Sequence, residues 1–536
     1  MRFFNTAGPT VCEDHYCLPP LERFDLDGML SLIDQKKYFV LHAPRQSGKT
    51  TCLLALMKYL NAGEQYRALY LNVEAAQVAR EDVETGIRAI LSEMADRADT
   101  YFEDKTIQNT FANMLEERGG GAAFNAVVTH WCRKSSLPVI LLIDEIDSLI
   151  GDTLVSVLRQ LRAGYDKRPE FFPQSIVLCG VRDVRDYRIN SSREKAIITG
   201  GSAFNVKAKS LRLGDFSADD IHVLFGQHTK ETGQGFTDRA LNLAWELTEG
   251  QPWLVNALGY EVCFEMKEGR NRSRLITAKM IEQAKENIIL RRDTHLDQLA
   301  DKLKEERVRR VIEPILVGLK GPEQIPTDDL YYARDLGLIK IDGQLRIANR
   351  IYQEVIPREL TYSAQVTISE EPLWYIRPDG SLNMKKLVSS FQEFFREHSE
   401  HWVERFEYKE AGPQLLMQAF LQRIVNGGGR VEREYGLGRL RTDLLVIWPT
   451  DTDGGERKAH GPKNVQKIVI ELKGLHNTLD RTVADGLEQT YAYMDRSDAN
   501  EGHLIVFDRN ENRSWEEKIF QREDSFKGKE IWVWGM

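Results

Sequence analysis

The sequence predicts an α/β protein of three or four domains, and three observations support that prediction. The chain has 536 residues, whereas an ordinary domain has about 100–200. Short apolar runs that are typical of buried strands alternate with helical patterns in both halves of the chain. The composition, with 42% hydrophobic and 29% charged residues, is that of a globular protein.

Charge and cysteine content narrow the class of protein. The net charge of −9 argues against a generally basic nucleic-acid coat protein, although it leaves room for a local basic groove. Six cysteines without a regular framework predict reduced thiols in a cytosol. Cys12, His15 and Cys17 lie close together, but zinc usually needs a fourth ligand and none is evident. The sequence has no signal peptide and no apolar run of about 18 residues, so we expect a soluble cytoplasmic protein that does not bind membranes.

A phosphate-binding loop follows the first buried strand. Residues 38–42 form that strand, and the loop pattern covers residues 43–50, with alanine in place of the usual first glycine. The amides of such a loop face phosphates, Lys49 is expected to reach the β- and γ-phosphates, and Thr50 to hold Mg²⁺. The alternative is an unrelated Gly-Lys-Thr turn before a helix. The residues predicted to bind ATP here are Ala43, Pro44, Arg45, Gln46, Ser47, Gly48, Lys49, Thr50 and Thr51.

A second, acidic motif completes the predicted ATP site. The run LPVILLIDEID indicates a central strand that is buried on both faces and ends in carboxylates at its carboxyl edge. Asp144 is expected to contact Mg²⁺, and Glu145 to orient or deprotonate the attacking water. Residues 175–183 form a further strand, near whose end Arg182 either senses the γ-phosphate or lies on the surface.

These motifs together resemble the AAA-like ATPases related to the STAND and archaeal ATPase families, over about residues 15–360. In that group the proline of a Gly-x-Pro element lies against the nucleotide, and Gly250, Gln251 and Pro252 match this element. The same tripeptide also fits a helix that ends at Gly250 and another that starts at Pro252, and both interpretations can hold at once.

The middle of the chain predicts a helical lid followed by a winged helix. A capping pattern at Ser217 begins a helical periodicity that continues to about residue 290. Residues 328–357 indicate a helix, a two-strand hairpin that turns at Asp342-Gly343, and a final helix. Helix and hairpin together resemble a winged helix, which either contacts DNA or serves as a spacer or regulatory clamp.

Opposite charges mark the end of a strand near the C-terminus, in the stretch IVIELKG. Side chains alternate faces along a strand, so Ile468, Ile470 and Leu472 are predicted to form a core face. Glu471 and Lys473 then share the other face. This pair is either a salt bridge at the rim or half of an active site.

The order of elements in this region resembles the PD-(D/E)XK nuclease family, in particular its branch fused to AAA-like ATPases. Asp443 and Glu471, on successive strands, match the metal-binding carboxylates, and the backbone carbonyl of Leu472 matches a further ligand. The resemblance implies that Mg²⁺, which Mn²⁺ can replace, activates a water for phosphodiester cleavage. Lys473 would orient that water or stabilise the transition state, and Gln489 matches a glutamine on the following helix. The predicted domains are an ATPase core at 1–214, a helical lid at 215–292, a winged-helix-like domain at 293–362, a linker at 363–384 and a nuclease-like domain at 385–536.

One departure from the family pattern keeps two functions open. The family pattern often includes a glutamate on a helix, but the candidate helix has Gln418 at the expected position, and Glu410 lies earlier as the substitute. This departure puts the binding of a second metal ion in question. The first function is an ATP-dependent deoxyribonuclease, which by analogy suggests bacterial defence or mobile-element control. The second is a nucleotide switch whose C-terminal domain binds nucleic acid or a partner without cutting. A homo-oligomer is compatible with either, and the candidates for an arginine supplied in trans are Arg159, Arg162 and Arg182.

Overall fold

The computed structural model of the chain has two compact units, each built around its own β-sheet. The first unit comprises Met1–His295, Tyr331–Lys340 and Ala348–Arg350, and the second comprises Leu296–Leu330, Ile341–Ile347 and Ile351–Met536. Each unit therefore takes part of the segment predicted to be one winged-helix-like domain, and the predicted domain boundaries stay predictions. The structure describes residues 1–183, 188–191, 196–199, 203–316, 325–342, 345–360, 375–403, 417, 420–421, 430–437, 440–450, 465–475, 478–508, 510 and 513–536.

A five-stranded parallel sheet forms the centre of the first unit. Its strands are β1 (Tyr38–His42), β2 (Arg67–Asn72), β3 (Val139–Asp144), β4 (Ser175–Gly180) and β7 (Lys207–Arg212), while β5 (Arg188–Ser191) and β6 (Ala196–Thr199) form a separate hairpin. The order across the sheet is β2-β3-β4-β1-β7, and all neighbours are parallel. Because the carboxyl ends of parallel strands meet at one edge, the loop after β1 and the acidic motif that ends β3 share that edge.

Burial on both faces explains why these strands are apolar throughout. Every residue of β1, β3 and β4 is buried, as predicted for a central strand. Side-chain alternation gives each face its own core, with Val40 and Leu141 on one side and Leu41 and Leu142 on the other. The site at the sheet edge therefore stands on a tightly packed support.

Ten helices lie wholly within the part of the first unit that the structure describes. They are α1 (Leu26–Asp34), α2 (Lys49–Ala62), α3 (Val83–Phe102), α4 (Thr106–Arg118), α5 (Ala123–Lys134), α6 (Gly151–Ala163), α7 (Ala218–Thr232), α8 (Asp238–Thr248), α9 (Pro252–Tyr260) and α10 (Ala278–Arg291). Short 3₁₀ turns occur at Pro20–Arg23, Glu74–Ala79, Ile146–Ser148 and Tyr165–Lys167, and a π-helical turn occurs at Glu261–Glu265.

Two predicted helix starts are confirmed. Ser217 and Asp220 form a reciprocal capping box at the start of α7, in which the Ser217 hydroxyl accepts from the Asp220 amide at 3.1 Å. Pro252 is the first residue of α9, where its missing amide proton costs nothing. Gly250 precedes it with φ +81°, a conformation that suits glycine.

The elements between residues 294 and 360 follow the predicted order. They are α11 (Thr294–Lys302), α12 (Glu306–Leu316), α13 (Thr327–Asp335), β8 (Ile339–Ile341), β9 (Leu345–Ile347) and α14 (Arg350–Leu360). Helix, two strands and helix thus lie where the sequence places them, although Gly343 of the predicted turn lies outside the described residues.

A six-stranded mixed sheet forms the centre of the second unit. Its strands are β10 (Arg430–Leu437), β11 (Leu440–Pro449), β12 (Val465–Gly474), β13 (Glu501–Phe507), β14 (Phe520–Phe526) and β15 (Lys529–Gly535), in the order β10-β11-β12-β13-β15-β14. β12, β13 and β15 are parallel to one another, and the other neighbours are antiparallel. The helices described in this part are α15 (Met384–Val403), α16 (Leu479–Ser497) and α17 (Trp515–Lys518).

The predicted core face of β12 is confirmed, because Ile468, Ile470 and Leu472 are all buried. The opposite face is buried as well: Val469 is fully buried and Glu471 is only 2% exposed. α16 packs over that face, where Val483 and Met494 join the same apolar cluster as Val469. The tertiary contact with α16 therefore encloses the carboxylate of Glu471.

The prediction of six reduced cysteines is wrong. Cys12 and Cys17 are joined by a disulfide, with Cα atoms 5.2 Å apart, within the usual range for such bonds. The other four cysteines are free and buried.

None of the helices in the described residues is long and apolar enough to cross a bilayer.

Candidate functional site

The loop after β1 has the strained geometry of a phosphate cradle. Gln46 and Gly48 have φ of +56° and +89°, and left-handed residues of this kind occur in loops whose backbone amides bind anions. Ser47 donates its hydroxyl to the Pro44 carbonyl at 2.8 Å, which braces the turn from within. Of the other predicted residues, Ala43 is fully buried and Arg45 is exposed.

Lys49 is held inside this loop. Its side chain is only 6% exposed, and Nζ donates to the carbonyls of Ala43 and Pro44 at 3.0 Å each. A buried ammonium needs anionic or strongly polar partners, and the loop surrounds this one with backbone dipoles. Lys49 is thus placed where a lysine can bind the phosphates that the loop amides face.

Thr50 and Asp144 meet at the sheet edge although 94 positions separate them in the chain. The Thr50 hydroxyl donates to Asp144 Oδ2 at 2.7 Å, and the Tyr70 hydroxyl donates to the same oxygen at 3.0 Å. Asp144 is completely buried. A hydroxyl and a carboxylate side by side form the hard-oxygen donor pair that Mg²⁺ prefers, so these residues fit the predicted magnesium site.

Glu145 follows in a left-handed conformation, with φ +57° and ψ +38°. Burial raises the pKa of the Glu145 carboxyl; Asp144 and Asp147 act in the same direction, while the Lys49 ammonium opposes the rise. A raised pKa improves a carboxylate as a proton acceptor, which suits the predicted role in activating water. Asp147 instead accepts from the Val181 amide at 3.0 Å, so it ties β3 to the end of β4.

Arg182 and the segment Tyr331–Lys340 lie beside the phosphate loop. The Arg182 guanidinium sits 4.8 Å from the centre of the Tyr332 ring, a cation–π contact. On the same segment, a Cβ added to Gly337 would lie 2.7 Å from Cγ of Pro44. The loop is therefore covered at close range by residues from more than 280 positions later in the sequence.

A cavity of about 110 Å³ adjoins the loop. Gln46, Gly48 and Thr51 line one part of it, and Pro252 lines another, so the structure brings the Gly-x-Pro element to the P-loop. Thr51 accepts from the Thr10 amide at 2.9 Å. The remaining walls come largely from the first twenty residues, together with Phe216, Leu224, Trp253 and Asn256.

Two residues that hold the loop were missed by the sequence analysis. Arg23 donates from Nη1 to the Ser47 carbonyl at 2.6 Å and from Nη2 to the Gly214 carbonyl at 2.8 Å. His295 hydrogen-bonds to Gln46 and stacks on Trp253 with ring centres 4.9 Å apart. Burial lowers the pKa of His295 to about 3, so the ring is neutral there.

The second candidate site lies in the C-terminal sheet, where β11 and β12 run antiparallel. Leu444 pairs with Ile470, so the next step of the same register sets the backbone position of Asp443 opposite Glu471. Opposite positions in an antiparallel pair have Cα atoms about 4.5–5.5 Å apart and share a sheet face. The side chain of Asp443 lies outside the described residues.

Glu471 and Lys473 are in direct contact. Lys473 Nζ donates to Glu471 Oε1 at 2.7 Å; the carboxylate is almost fully buried, and the lysine is 27% exposed. Leu472, the predicted carbonyl ligand, lies between them with its side chain buried on the other face. Gln489 is on the exposed side of α16, whereas Tyr493 on the same helix is buried.

Two other residues considered for this site, Glu410 and Gln418, lie outside the described residues. Among the described side chains, no three His, Cys, Asp or Glu residues converge on a metal-sized point.

Comparisons with known proteins bear on the first unit. Residues 33–187 match the family model of an AAA domain. Among solved structures, the Walker-type ATPase PABY2304 of Pyrococcus abyssi aligns with 66% of this chain and 99% of its own, at 15% identity and a TM-score of 0.46. Cdc6p from Pyrobaculum aerophilum aligns with 70% of this chain and 93% of its own, at 14% identity and a TM-score of 0.35. The RuvB Holliday junction branch migration motor of Thermotoga maritima aligns with 62% and 96%, at 12% identity and a TM-score of 0.32. TM-scores below 0.5 support no conclusion about this chain, and none of the curated proteins matches it.

Proposed function

Because residues 33–187 form an AAA-type P-loop ATPase domain, we propose that this chain hydrolyses ATP to control a metal-dependent nuclease in its C-terminal sheet, with DNA as the substrate. The observation that carries the ATPase part is the meeting of Lys49, Thr50, Asp144 and Glu145 at one sheet edge.

The chemistry of the ATPase site follows from these four residues. Bound Mg²⁺ would neutralise phosphate charge between Thr50 and Asp144. Lys49 binds the β- and γ-phosphate oxygens, and Glu145 accepts the proton of the attacking water. Tyr70 keeps the Asp144 carboxylate oriented by its hydrogen bond to Oδ2.

The nuclease part is supported by the register between β11 and β12. Leu444 and Ile470 are the last paired positions, and one further step in the same register would set Asp443 opposite Glu471, which suits two carboxylates that share a metal ion. Lys473 lies within hydrogen-bond distance of Glu471, so it is close enough to hold a metal-activated water against the scissile phosphate. Gln489 would contribute its side chain from α16, and Mn²⁺ could take the place of Mg²⁺.

The test is cleavage of linear, circular and single-stranded DNA with Mg²⁺ or Mn²⁺, with and without ATP. We expect cleavage by the wild type and by Lys467→Ala, but none by Lys473→Ala. Lys467 is the matched control, because it lies on the same strand and donates to the Ser497 carbonyl at 2.8 Å rather than to Glu471.

Two further variants separate misfolding and ATP dependence from loss of chemistry. Glu471→Gln keeps a hydrogen-bond acceptor for Lys473 but removes the charge that the metal needs, so it should fold and fail to cut. Lys49→Ala should abolish ATP hydrolysis, while Lys58→Ala, an exposed change on the same helix, should not. Hydrolysis of ATP without cleavage of DNA or RNA would refute the nuclease.

A nucleotide switch is the second candidate, and one observation favours it. The segment Tyr331–Lys340 covers the P-loop through the Gly337 contact and engages Arg182 through Tyr332. If this contact controls nucleotide release, Tyr332→Ala will speed the exchange of bound nucleotide, while the neighbouring Tyr331→Ala will not. Equal rates of nucleotide exchange in the wild type, Tyr332→Ala and Tyr331→Ala would remove the support for a switch.

A further inference from the structure

The disulfide near the start of the chain lies where a reductant can reach it. Cys12 is exposed and Cys17 is half-buried, whereas the four free cysteines are all buried. Burial raises the pKa of the Cys52 thiol to about 11 and that of the Cys132 and Cys263 thiols to about 12, so these thiols rarely form the reactive thiolate. Thiol chemistry on the folded chain is therefore confined to Cys12 and Cys17.

One end of the disulfide is anchored to helix α7. The Cys17 amide donates to Gln227 Oε1 at 3.1 Å, and Gln227 Nε2 donates to the Cys17 carbonyl at 2.9 Å. The neighbouring Tyr16 is almost fully buried, and its hydroxyl lies 3.1 Å from Nδ1 of His228 on the same helix. None of these contacts involves the sulfur, so they hold the backbone at Cys17 in either redox state.

The other end of the disulfide leads to the phosphate loop. Two residues before Cys12, the amide of Thr10 donates to the hydroxyl of Thr51 at 2.9 Å. Residues 5–8 and Thr10 line the cavity that adjoins the P-loop, and so does Cys17. The disulfide spans only five positions of the chain, so it ties this cavity wall closely to the anchored Cys17.

We propose that Cys12 and Cys17 form a site of thiol–disulfide exchange with a dithiol reductant, and that their reduction speeds the release of nucleotide from the P-loop. The disulfide restrains the segment that carries Thr10, which contacts Thr51 beside the loop. Its cleavage leaves that wall of the cavity free to move away. This inference rests on the proposed function, since it assumes that the P-loop binds ATP and the ADP formed from it.

The exchange takes place in two steps. A thiolate of the reductant attacks the exposed Sγ of Cys12, the bond to Cys17 breaks, and Cys17 leaves with the electron pair and takes up a proton. The second thiol of the reductant then displaces Cys12 from the mixed disulfide, so both cysteines become thiols and the reductant becomes its own disulfide. Sγ of Cys17 lies 3.1 Å from the Leu18 carbonyl oxygen, so the new thiol has an acceptor in place.

The experiment measures the dissociation of fluorescently labelled ADP from the full chain, chased with excess ADP, with and without dithiothreitol. Closing a loop this short changes the population of its ordered form by about tenfold to a hundredfold. After reduction the amides of Asp14 and His15 still donate to the Val11 carbonyl, so part of the order remains. We therefore expect the lower value, a dissociation rate that rises by about tenfold.

Three controls identify the disulfide as the cause. Iodoacetamide added to the folded chain should modify neither Cys12 nor Cys17 before reduction and both after it, while the four buried thiols stay unmodified. Cys12→Ser/Cys17→Ser has no disulfide, so its release of ADP should be fast and insensitive to dithiothreitol. Reoxidation of the wild type with oxidised glutathione should restore slow release, which distinguishes this effect from irreversible damage and needs no substitution.

The outcomes separate this inference from the proposed function. An unchanged release rate in wild-type protein whose reduction is confirmed by alkylation overturns the inference but leaves the ATPase intact. So does a Cys12→Ser/Cys17→Ser protein that still responds to dithiothreitol, or an oxidised wild type in which both thiols are modified. Failure of the wild type to bind labelled ADP and ATP in either redox state overturns the proposed function itself.

Discussion

Replacing Gly48 by alanine tests how the phosphate loop is held open. Gly48 has φ +89°, and a Cβ at this position would lie 2.6 Å from Nη1 of Arg23. The same Nη1 donates to the Ser47 carbonyl at 2.6 Å. The alanine methyl group must therefore both occupy a left-handed conformation and push the guanidinium away from the loop.

The expected loss of stability is the sum of these two effects. A non-glycine residue in the left-handed region costs about 1–2 kcal/mol. A hydrogen bond from a charged donor contributes about 1.5–3 kcal/mol, so the displaced guanidinium adds that amount. Gly48→Ala should lower the free energy of unfolding by about 2.5–5 kcal/mol.

Gly233→Ala is the matched control, and denaturant unfolding is the assay. Gly233 has φ +77°, and no atom lies within 4 Å of its added Cβ, so it has the backbone cost without the clash. Its substitution should cost only about 1–2 kcal/mol. In an Arg23→Met background, Gly48→Ala should fall to the same value, because the displaced hydrogen bond is already absent.

Two outcomes would refute this account of the loop. One is an equal cost for Gly48→Ala and Gly233→Ala, which would mean that Arg23 does not restrain the loop. The other is an unchanged cost of Gly48→Ala after Arg23→Met, which would place the strain elsewhere.

Three further predictions concern the same unit. Glu145→Gln should retain ATP binding but slow ATP hydrolysis by about 10²-fold or more. Phosphate release measures the hydrolysis and equilibrium binding measures the affinity, and an unchanged rate of hydrolysis would exclude Glu145 as the base. Tyr70→Phe removes a hydrogen bond from Asp144 and should raise the Mg²⁺ concentration for half-maximal hydrolysis by about tenfold. In a magnesium titration, a half-maximal concentration equal to that of the wild type would contradict the role of Tyr70 in orienting Asp144. The pKa of His295 is lowered to about 3 by burial, so between pH 6.5 and 3 the unfolded chain binds a proton that the folded chain does not, and stability falls as the pH falls. At pH 5 this amounts to about 2 kcal/mol, and His295→Phe should remove that part of the difference in unfolding free energy between pH 7 and pH 5; an unaltered pH dependence would refute it.

The nucleotide site could be predicted in detail because its signature is local. Lys49 and Thr50 directly follow the turn that Gly48 permits, and Asp144 and Glu145 directly follow an apolar strand. Each group is placed by backbone geometry within a few residues, so the spacing in the sequence already contains it. In the second unit, the order β11, β12 and α16 was predicted for the same reason, from apolar periodicity, whereas β14 and β15 were not predicted.

What the sequence by itself determined is thus the set of elements and the residues that end them. Only the tertiary structure decided which distant groups complete the sites. Arg23 reaches Ser47 across 24 positions, and His295 reaches Gln46 across 249, so no local pattern encodes either contact. Glu471 shows the same limit: alternation along β12 sets it on the face opposite Ile470, and only the packing of α16 decides that this face is buried. Burial depends on which element covers a strand, and that choice is made by long-range packing rather than by the strand itself.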